Sequence, residues 1–272
     1  MIFNVYPASG FLSQFVHFYW IMEIDEIVTP TDPNRVVPNG SVNLFFHYGD
    51  VLKNKRQDNC ETMQFRSQIS GQTTEYFDVY HTGKSSFLSV VFRPSGASLF
   101  FDIPIDIIID QHIDISSIDS RNSAFICEQL YHAPTSHQKI AVIEEYLIRN
   151  FREKKLYNHQ RISSAIKEAI SCGGNIAIDA LASTACLSHK QFDRVFSDLV
   201  GLHPKQFVKI TRLQHVFELL NRSKEANLLD IAFLAGYYDQ AHFSKEFKLL
   251  TGFTPKQCLK ECIPTSDLYL EV

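Results

Sequence analysis

The segments SHKQFDRVF and DQAHFSKEF, which begin at positions 188 and 239, each combine hydrogen-bonding side chains with two phenylalanines. An arginine or lysine can donate to O6 and N7 of guanine, a carboxamide can pair with adenine, and a carboxylate can accept from the amino group of cytosine. Both segments therefore carry side-chain chemistry that suits the edges of base pairs. The side chains concerned are Lys190, Asp193 and Arg194 in the first segment and Gln240 and Lys245 in the second.

The two phenylalanines of each segment are four residues apart, a spacing that places both on one face of a helix. We expect that face to anchor each helix in a small core. The opposite face is then exposed. It is predicted to present His189, Lys190, Asp193, Arg194 and Ser197 in the first helix, and Gln240, Ala241, Ser244, Lys245 and Lys248 in the second.

The elements around these two helices are repeated as well, since GLHPKQFVK follows the first and GFTPKQCLK follows the second. Each copy predicts a short apolar helix (178–184 or 229–234), a turn, an N-cap residue and the Phe-anchored helix. A glycine suited to a left-handed C-cap then ends that helix, and a proline begins the next. The N-caps are Ser188 and Asp239, the glycines are Gly201 and Gly252, and the prolines are Pro204 and Pro255.

A helix, a tight turn and an anchored second helix make a helix-turn-helix unit, whose second helix can enter the major groove of DNA. We predict two such units, at about 175–200 and 227–250, joined by a long helix within KQFVKITRLQHVFELLNRS. Two units on one stiff helix can contact successive major-groove segments, which lie about 34 Å apart on one face of the duplex. The expected partner is therefore double-stranded DNA.

The charge distribution agrees with this expectation but does not establish it. Residues 1–157 contain 13 Lys and Arg against 18 Asp and Glu, whereas residues 158–262 contain 13 against 10. The C-terminal part is thus mildly basic within a chain of net charge −4. A net charge of +3 identifies no partner by itself, so the prediction rests on the repeat.

Residues 158–262 resemble the DNA-binding domain of the AraC/XylS family of bacterial transcription regulators. The second copy carries most of the resemblance, in IA at 231, AGY at 235, DQ at 239, HFS at 242, FK at 247 and TGFTP at 251. The resemblance implies a sequence-specific transcription regulator. It also implies activation as the expected effect, because most of this family activates, and RNA polymerase as an expected partner.

The resemblance extends to individual positions of the two Phe-anchored helices. Base-contacting positions of the family correspond to Lys190, Asp193 and Arg194, and to Gln240, Ala241 and Lys245. Side chains near helix starts are expected to contact phosphates and to position the domain without reading sequence. These are Ser188, Asp239, Lys205 and Lys256, while His189 and Ser244 complete the predicted DNA-facing set. The alternative for each residue is an ordinary solvated side chain.

Residues 15–101 contain several short runs of aromatic and β-branched residues bounded by turn signals, which is typical of an antiparallel barrel or sandwich. The segment HTGK at 81–84 predicts a hairpin connection between two such runs. After about residue 118, helical apolar spacing predicts a helix pair, which either packs on its own domain or pairs with a second copy of the chain. The polar segment EKKLYNHQ at 153–160 is the predicted linker.

The expected fold class is α+β. A β-rich barrel or sandwich with a helical pair precedes an all-α domain of two helix-turn-helix units joined by a long helix. We place a sensor or dimerisation domain at 1–156, the DNA-binding domain at 157–262 and a tail at 263–272.

The first domain contains the segments FYWIMEI at 18, RVVPNGSVNLFFHYGD at 35, ISGQTTEYF at 69 and VVFRPSGASLFFDIP at 90. In these segments it resembles an uncharacterised sensor-like domain that precedes this DNA-binding domain in some AraC-type regulators. The resemblance implies a cupin-like barrel that binds a small-molecule effector or forms a homodimer. Four aromatic side chains could line a barrel that holds a small apolar or planar molecule, or they could simply fill the core. They are Phe18, Trp20, Phe45 and Phe92.

The sequence contains no G-x-S-x-G, P-loop or G-x-G-x-x-G motif, and three of its N-terminal histidines, His17, His47 and His81, are isolated from one another. We therefore expect no enzymatic activity, no cofactor and no metal site. No apolar run reaches the roughly 18 residues of a membrane span, and no basic segment marks a signal peptide. The six cysteines lack a C-x-x-C pair, which favours free thiols in the cytoplasm.

Two other functions stay open on sequence grounds. The chain could be an enzyme-like β-barrel whose helical domain is a degraded appendage, since the basic excess is small and Asp193 would face phosphates. It could also be an interaction module in which the helical domain holds another regulator.

Overall fold

A computed structural model of the 272-residue chain describes residues 2–25, 33–222 and 228–261. The N-terminal half is rich in strands and the C-terminal half is helical, which confirms the α+β class. The predicted tail at 263–272 and Cys262 lie outside the described residues.

Ten strands form within the described ranges, and they build two antiparallel sheets. The six-stranded sheet has the order β1-β2-β9-β4-β7-β10, and the four-stranded sheet has the order β3-β8-β5-β6. The strands are β1 Ile2–Pro7, β2 Val16–Glu23, β3 Asn34–Val36, β4 Asn43–His47, β5 Leu52–Lys55, β6 Glu61–Met63, β7 Ser67–Ser70, β8 Phe77–His81, β9 Ser86–Phe92 and β10 His112–Asp114.

Nine α-helices follow in the described part of the chain, and the first two are the predicted pair. None of them is both long enough and apolar enough to cross a membrane. The helices are α1 Ser120–His132, α2 Ser136–Asn150, α3 Leu156–Ser171, α4 Ile178–Thr184, α5 His189–Val200, α6 Pro204–Arg222, α7 Leu228–Leu234, α8 Gln240–Thr251 and α9 Pro255–Glu261.

Alternating side chains of the central strand β9 serve two separate cores, because successive residues of a strand point to opposite faces. Leu88, Val90 and Phe92 pack in a large core that also contains buried residues of α1 and α2. Phe87 points the other way and packs with Leu52 of the smaller sheet. The helix pair therefore closes one face of the larger sheet, while the smaller sheet covers the other.

Two expectations about the strands are wrong. The strand β1 precedes the predicted β region and pairs with β2 along its whole length, from Ile2 opposite Glu23 to Pro7 opposite Phe18. The segment 81–84 is not a hairpin connection, since β8 belongs to the smaller sheet and β9 to the larger one. A short turn-forming segment can pass between two sheets as readily as between paired strands, and local sequence does not distinguish the two cases.

The predicted linker at 153–160 is also largely wrong, because α3 begins at Leu156. His159, in the first turns of α3, is buried and its ring lies edge-on to Phe15, with 5.2 Å between the ring centroids. The segment is polar in composition, but its few less polar positions already follow the helical period of α3.

The four predicted barrel-lining aromatic residues separate in the structure. Trp20 and Phe45 lie between the two sheets, where both pack near Phe87. Phe92 lies on the opposite face of the larger sheet, and Phe18 is buried. The alternation of β9 accounts for Phe92, since Phe92 and Phe87 are an odd number of residues apart.

A chain of buried and half-buried polar side chains links the two sheets. His47 Nε2 lies 2.9 Å from Gln64 Oε1, Gln64 donates to Asn54 Oδ1 at 2.7 Å, and Asn54 lies 2.9 Å from His112 Nε2. His112 Nδ1 lies 2.8 Å from Ser70 Oγ. Burial lowers the pKa of His47 and of His112 to about 4. Both rings are therefore neutral at pH 7.

Acidification is expected to destabilise the protein through these histidines. The folded-state pKa of His47, about 4, lies below the unfolded value near 6.5, so the unfolded state takes up the proton first as the pH falls. The stabilisation present above pH 6.5 is lost towards pH 4, and at pH 5 the loss is on the order of 2 kcal/mol. We expect His47→Gln to reduce the pH dependence of the free energy of unfolding, measured by urea denaturation at pH 7 and pH 5. An unchanged pH dependence would contradict this role for His47.

Candidate nucleic-acid interface

The first helix-turn-helix unit consists of α4, a turn and α5. In the turn Cys186 adopts a positive φ of 52°, and Leu187 N donates to Ala182 O at 2.9 Å. Ser188 then caps α5 in a capping box with Gln191, which satisfies two backbone N–H groups at the start of the helix. The turn and the cap together fix the angle at which α5 leaves α4.

Two phenylalanines anchor α5, and a glycine ends it. Phe192 and Phe196 are fully buried, with ring centroids 5.3 Å apart. Gly201 adopts a φ of 89°, and its N–H donates to Ser197 O. This left-handed conformation favours glycine, because a side chain there would be strained.

The second unit repeats this construction with α7 and α8. The N–H of Tyr237 donates to Ala232 O at 2.9 Å, the counterpart of the bond from Leu187 to Ala182 in the first unit. The left-handed residue before it is Gly236, which occupies the place of Cys186. Asp239 accepts from His242 N at 2.7 Å, and Gly252 ends α8 with a φ of 78°. The predicted caps and glycines of both units therefore have the expected local structure.

Helix α6 belongs to the cores of both units. Phe207 and Ile210 pack in a core with α3, α4 and α5, whereas Leu213, Phe217 and Leu220 pack in a core with α7, α8 and α9. A 19-residue helix is about 28 Å long, comparable to the roughly 34 Å between successive major-groove segments. Both units are therefore anchored on one rigid element of suitable length.

The predicted base-reading side chains are accessible on their helices. Lys190, Arg194, Gln240 and Lys245 are exposed, and the structure gives none of these four an ion pair or hydrogen bond within the described residues. Asp193 and Ser244 are half-buried, whereas the other predicted residues are exposed. Those others are Ser188, His189, Asp239, Ala241, Lys205 and Lys256.

The structure pairs two of the predicted residues with other side chains. His189 Nε2 lies 3.6 Å from Asp179 Oδ1 at the start of α4, and Asp193 Oδ1 lies 3.5 Å from His203 Nδ1. Both pairs are largely exposed, so their contribution to stability is small. Asp193 therefore has the His203 ring as a neighbour on the same surface.

Ser197 does not face outward as the helical phase predicted. It is buried, and its Oγ lies 3.2 Å from His203 Nδ1. The helical phase alone assigned Ser197 to the exposed face. The segment after Gly201, which carries His203, folds back over that part of α5.

Two arginines for which no contact was predicted stabilise the turns of the two units. Arg161 of α3 donates to the backbone carbonyls of Ala185 and Cys186, which lie in the turn of the first unit. Arg212 of α6 lies over the ring of Tyr237, 5.2 Å from its centroid, beside the turn of the second unit. Neither contact has a local sequence signal.

The cap at Ser188 can be tested separately from a phosphate contact at the same residue. We expect Ser188→Ala to lower the free energy of unfolding by about 1 kcal/mol, because a backbone N–H of α5 loses its acceptor. Ser188→Asp preserves the cap but places a negative charge beside the predicted DNA surface. It should keep the stability measured by urea denaturation and weaken DNA binding measured by fluorescence anisotropy. Equal stability of Ser188→Ala and wild type would contradict the capping role.

Comparison with known proteins assigns two regions of the chain. Residues 181–261 match a family described as a helix-turn-helix domain, and residues 4–114 match a domain of unknown function. An uncharacterised HTH-type transcriptional regulator of Haemophilus influenzae is 37% identical over 83 residues, which is 30% of this chain and 28% of that protein. The HTH-type transcriptional activator RhaS of Escherichia coli is 33% identical over 78 residues, or 29% of this chain and 28% of RhaS.

These relatives are matched over only a part of their length, about 28%. Among solved structures, ToxT of Vibrio cholerae is similar over 89% of this chain and 96% of its own, with a TM-score of 0.45 and 12% identity. The sequence matches identify residues 181–261 as a helix-turn-helix domain.

Proposed function

We propose, from the premise that residues 181–261 are a helix-turn-helix domain of the AraC type, that this chain is a sequence-specific DNA-binding transcription regulator, and an activator. The observation that carries the proposal is the attachment of two similarly built helix-turn-helix units to opposite ends of α6. Each unit presents exposed hydrogen-bonding side chains on its second helix, among them ones that have no ion pair or hydrogen bond within the described ranges. Such a pair suits two short blocks of base pairs about one helical turn apart.

Within this proposal the side chains divide by task. Lys190, Arg194, Gln240 and Lys245 contact base edges, joined by Asp193 and Ala241, while His189 and Ser244 flank them. The remaining side chains, at helix starts, contact phosphates and set the register of the domain on the duplex. They are Ser188, Asp239, Lys205 and Lys256.

The N-terminal region supplies regulation in this proposal. We divide the chain into a sensor or dimerisation domain at 1–156 and a DNA-binding domain at 157–262. The first domain binds a small-molecule effector or a second copy of the chain, the second domain binds promoter DNA, and RNA polymerase is the target of activation. The protein acts in the cytoplasm and has no catalytic activity. The activator name of RhaS supports the sign of regulation.

An interaction module is the second candidate, and an exposed apolar patch on the second unit favours it. Phe233, Leu234 and Tyr238 are 56%, 68% and 90% exposed. Large exposed apolar side chains that lie together often mark a protein contact. In this alternative the helical domain holds another regulator and binds DNA only together with it.

Selection from random duplex DNA with the full chain, at about physiological salt, tests the proposal. We expect a motif of two short conserved blocks one helical turn apart, and binding that weakens steeply as salt rises. A single block would assign base reading to one unit only. If folded protein enriches no sequence alone but does so in cell extract, the extract supplies a required component. A component in the small-molecule fraction is an effector, whereas a component in the protein fraction favours the interaction module. Failure in both conditions would overturn the proposal.

A further inference from the structure

A cavity of about 130 Å³ lies between the two sheets of the N-terminal region. One side is aromatic: the Trp20 ring lies 4.8 Å from Phe87 and 6.1 Å from Phe45, measured between ring centroids. Leu52 and Val79 of the smaller sheet line the other side. Apolar cavities near 150 Å³ hold a molecule the size of benzene. The dimensions and the lining therefore suit a single aromatic ring.

Three polar atoms of residues in the cavity wall are buried without a hydrogen-bond partner in the described structure. They are Trp20 Nε1, Asn43 Oδ1 and His81 Nδ1. Buried polar groups are almost always paired, because an unpaired one is costly. Trp20 supplies a donor and Asn43 supplies an acceptor. A ligand that both accepts and donates hydrogen bonds could therefore supply partners for Trp20 Nε1 and Asn43 Oδ1.

No unpaired charge was found among the lining residues. Arg35 contributes to the wall, but its guanidinium donates to both carboxylate oxygens of Asp78, at 2.8 and 3.0 Å. Burial lowers the pKa of His81 and of His112, so both rings are neutral at pH 7. An ionised ligand would enter this site without a counter-ion, which is unfavourable in an apolar cavity. The site therefore selects an uncharged molecule.

The segment 35–41, which we name the shared wall, has the cavity on one side and the helix-turn-helix units on the other. Arg35, Asn39 and Ser41 line the cavity. Val37, by contrast, packs in the core of the second unit with residues of α6, α7 and α8. One short segment thus takes part in both the cavity and the core of a DNA-binding unit.

The shared wall also contacts the C-terminal end of α8. The Arg35 guanidinium lies between the rings of Tyr76 and Phe253, 4.3 Å from each centroid, and donates to Thr251 O at 3.4 Å. Thr251 is the last residue of α8. A Cβ on Gly252, which follows it, would lie 2.5 Å from the Tyr76 ring. The C-terminal end of α8 is therefore tightly packed against the N-terminal region.

The shared wall also contacts the helix that joins the two units. Pro38 O accepts from Gln214 Nε2 of α6 at 2.7 Å. Gly40 approaches Phe207 of α6 so closely that an added Cβ would lie 3.3 Å from its ring. A shift of the shared wall would consequently change its contacts with both α6 and α8.

We propose that the cavity binds an uncharged molecule with one aromatic ring and a hydrogen-bonding substituent, and that the shared wall transmits its occupancy to the second helix-turn-helix unit. Binding rearranges Trp20, Asn43 and the inner side of the shared wall. Arg35 passes the change to the end of α8. The regulatory meaning of this step rests on the proposed function, whereas binding and transmission do not.

Binding can be measured directly, because Trp20 is the single tryptophan of the chain and lies in the cavity wall. We use benzamide as the probe, since it is uncharged and carries one acceptor and one donor group, and benzoate as the charged control. Benzamide should change the Trp20 fluorescence saturably with a Kd of about 1 mM or tighter, as expected for so small a ligand. Benzoate should bind at least tenfold more weakly.

A variant that fills the cavity provides the control for location. Val79→Phe should abolish the saturable change, provided that circular dichroism shows it to be folded. Thermal unfolding of the wild-type chain supplies a measurement that does not need this variant, since benzamide should raise the Tm more than benzoate does. No saturable change up to about 10 mM benzamide, or equal effects of the two probes, would overturn the binding site.

Transmission is tested by amide hydrogen exchange, which requires no DNA. Saturating benzamide should change exchange rates several-fold in the last turn of α8, around Thr251. Phe253→Ala removes the ring that packs on the Arg35 guanidinium and lies outside the cavity lining, so it should remove that change while fluorescence still reports binding. Phe233→Ala is the matched control, because Phe233 is a phenylalanine of the same unit that is 56% exposed. Exchange changes confined to the sheets would overturn transmission. If the wild-type chain fails to bind DNA, that result counts against the proposed function and leaves binding and transmission unaffected.

Discussion

Replacing Phe247 by alanine is expected to lower the free energy of unfolding of the second helix-turn-helix unit by roughly 3–5 kcal/mol. Phe247 is fully buried, and its ring centroid lies 5.6 Å from that of Phe217 and 5.7 Å from that of Phe243. The substitution removes a large apolar side chain and leaves a cavity between α6 and α8. Because a loss of this size is a large part of the stability of a small unit, α8 should lose its fixed position.

The measurement is amide hydrogen exchange along α8, together with urea denaturation. Leu249→Ala is the matched control on the same helix, since Leu249 is 62% exposed and its loss should change stability by no more than about 0.5 kcal/mol. Phe196→Ala should produce the corresponding loss in the first unit. If the protein binds DNA as proposed, footprints of Phe247→Ala should keep the block read by α5 and lose the block read by α8. Equal effects of Phe247→Ala and Leu249→Ala would show that α8 is not anchored as described.

Replacing Arg194 by alanine is expected to weaken binding to the selected DNA site by about 1–3 kcal/mol, or roughly 5-fold to 150-fold. Arg194 is exposed on α5, so the substitution removes base contacts and leaves the core of the unit intact. Selectivity should relax at one base position of the first block. Fluorescence anisotropy on a set of singly substituted sites measures both quantities.

Lys205→Ala is the comparison that separates base reading from phosphate contact. Lys205 is exposed in the first turn of α6, and its loss should weaken all sequences alike and reduce the salt dependence by about one phosphate contact. If Arg194→Ala behaved in the same uniform way, Arg194 would be a phosphate contact. If it changed nothing on the preferred site, the assignment of α5 as a reading helix would be wrong.

The helical units were predictable because their determinants are local. The spacing of Phe192 and Phe196, the caps Ser188 and Asp239, and the left-handed glycine at 201 each act within a few residues along the chain. Helix periodicity and capping chemistry therefore predicted α4, α5, α7 and α8 to within a residue or two. The joining helix α6, Pro204–Arg222, also lies in the segment where a long helix was predicted.

The errors arose where a residue's environment is set by distant parts of the chain. The connection at 81–84 joins two sheets. Phe92 and Trp20 lie on opposite faces of the larger sheet. Ser197 is covered by the segment that carries His203. In each case the local pattern fits two arrangements. Packing between elements decides which of them forms.

The sequence by itself thus determined that two similar helix-turn-helix units share a helix, because periodicity, caps and turn residues are read within one element. Only the tertiary structure decided that Arg35, 216 residues before Thr251, donates to the carbonyl of that residue at the end of α8. It also decided that three residues that each carry a buried polar atom without a partner in the described structure, Trp20, Asn43 and His81, line one cavity. Contacts between elements far apart in sequence depend on how sheets and helices pack against each other, and no local pattern specifies that packing.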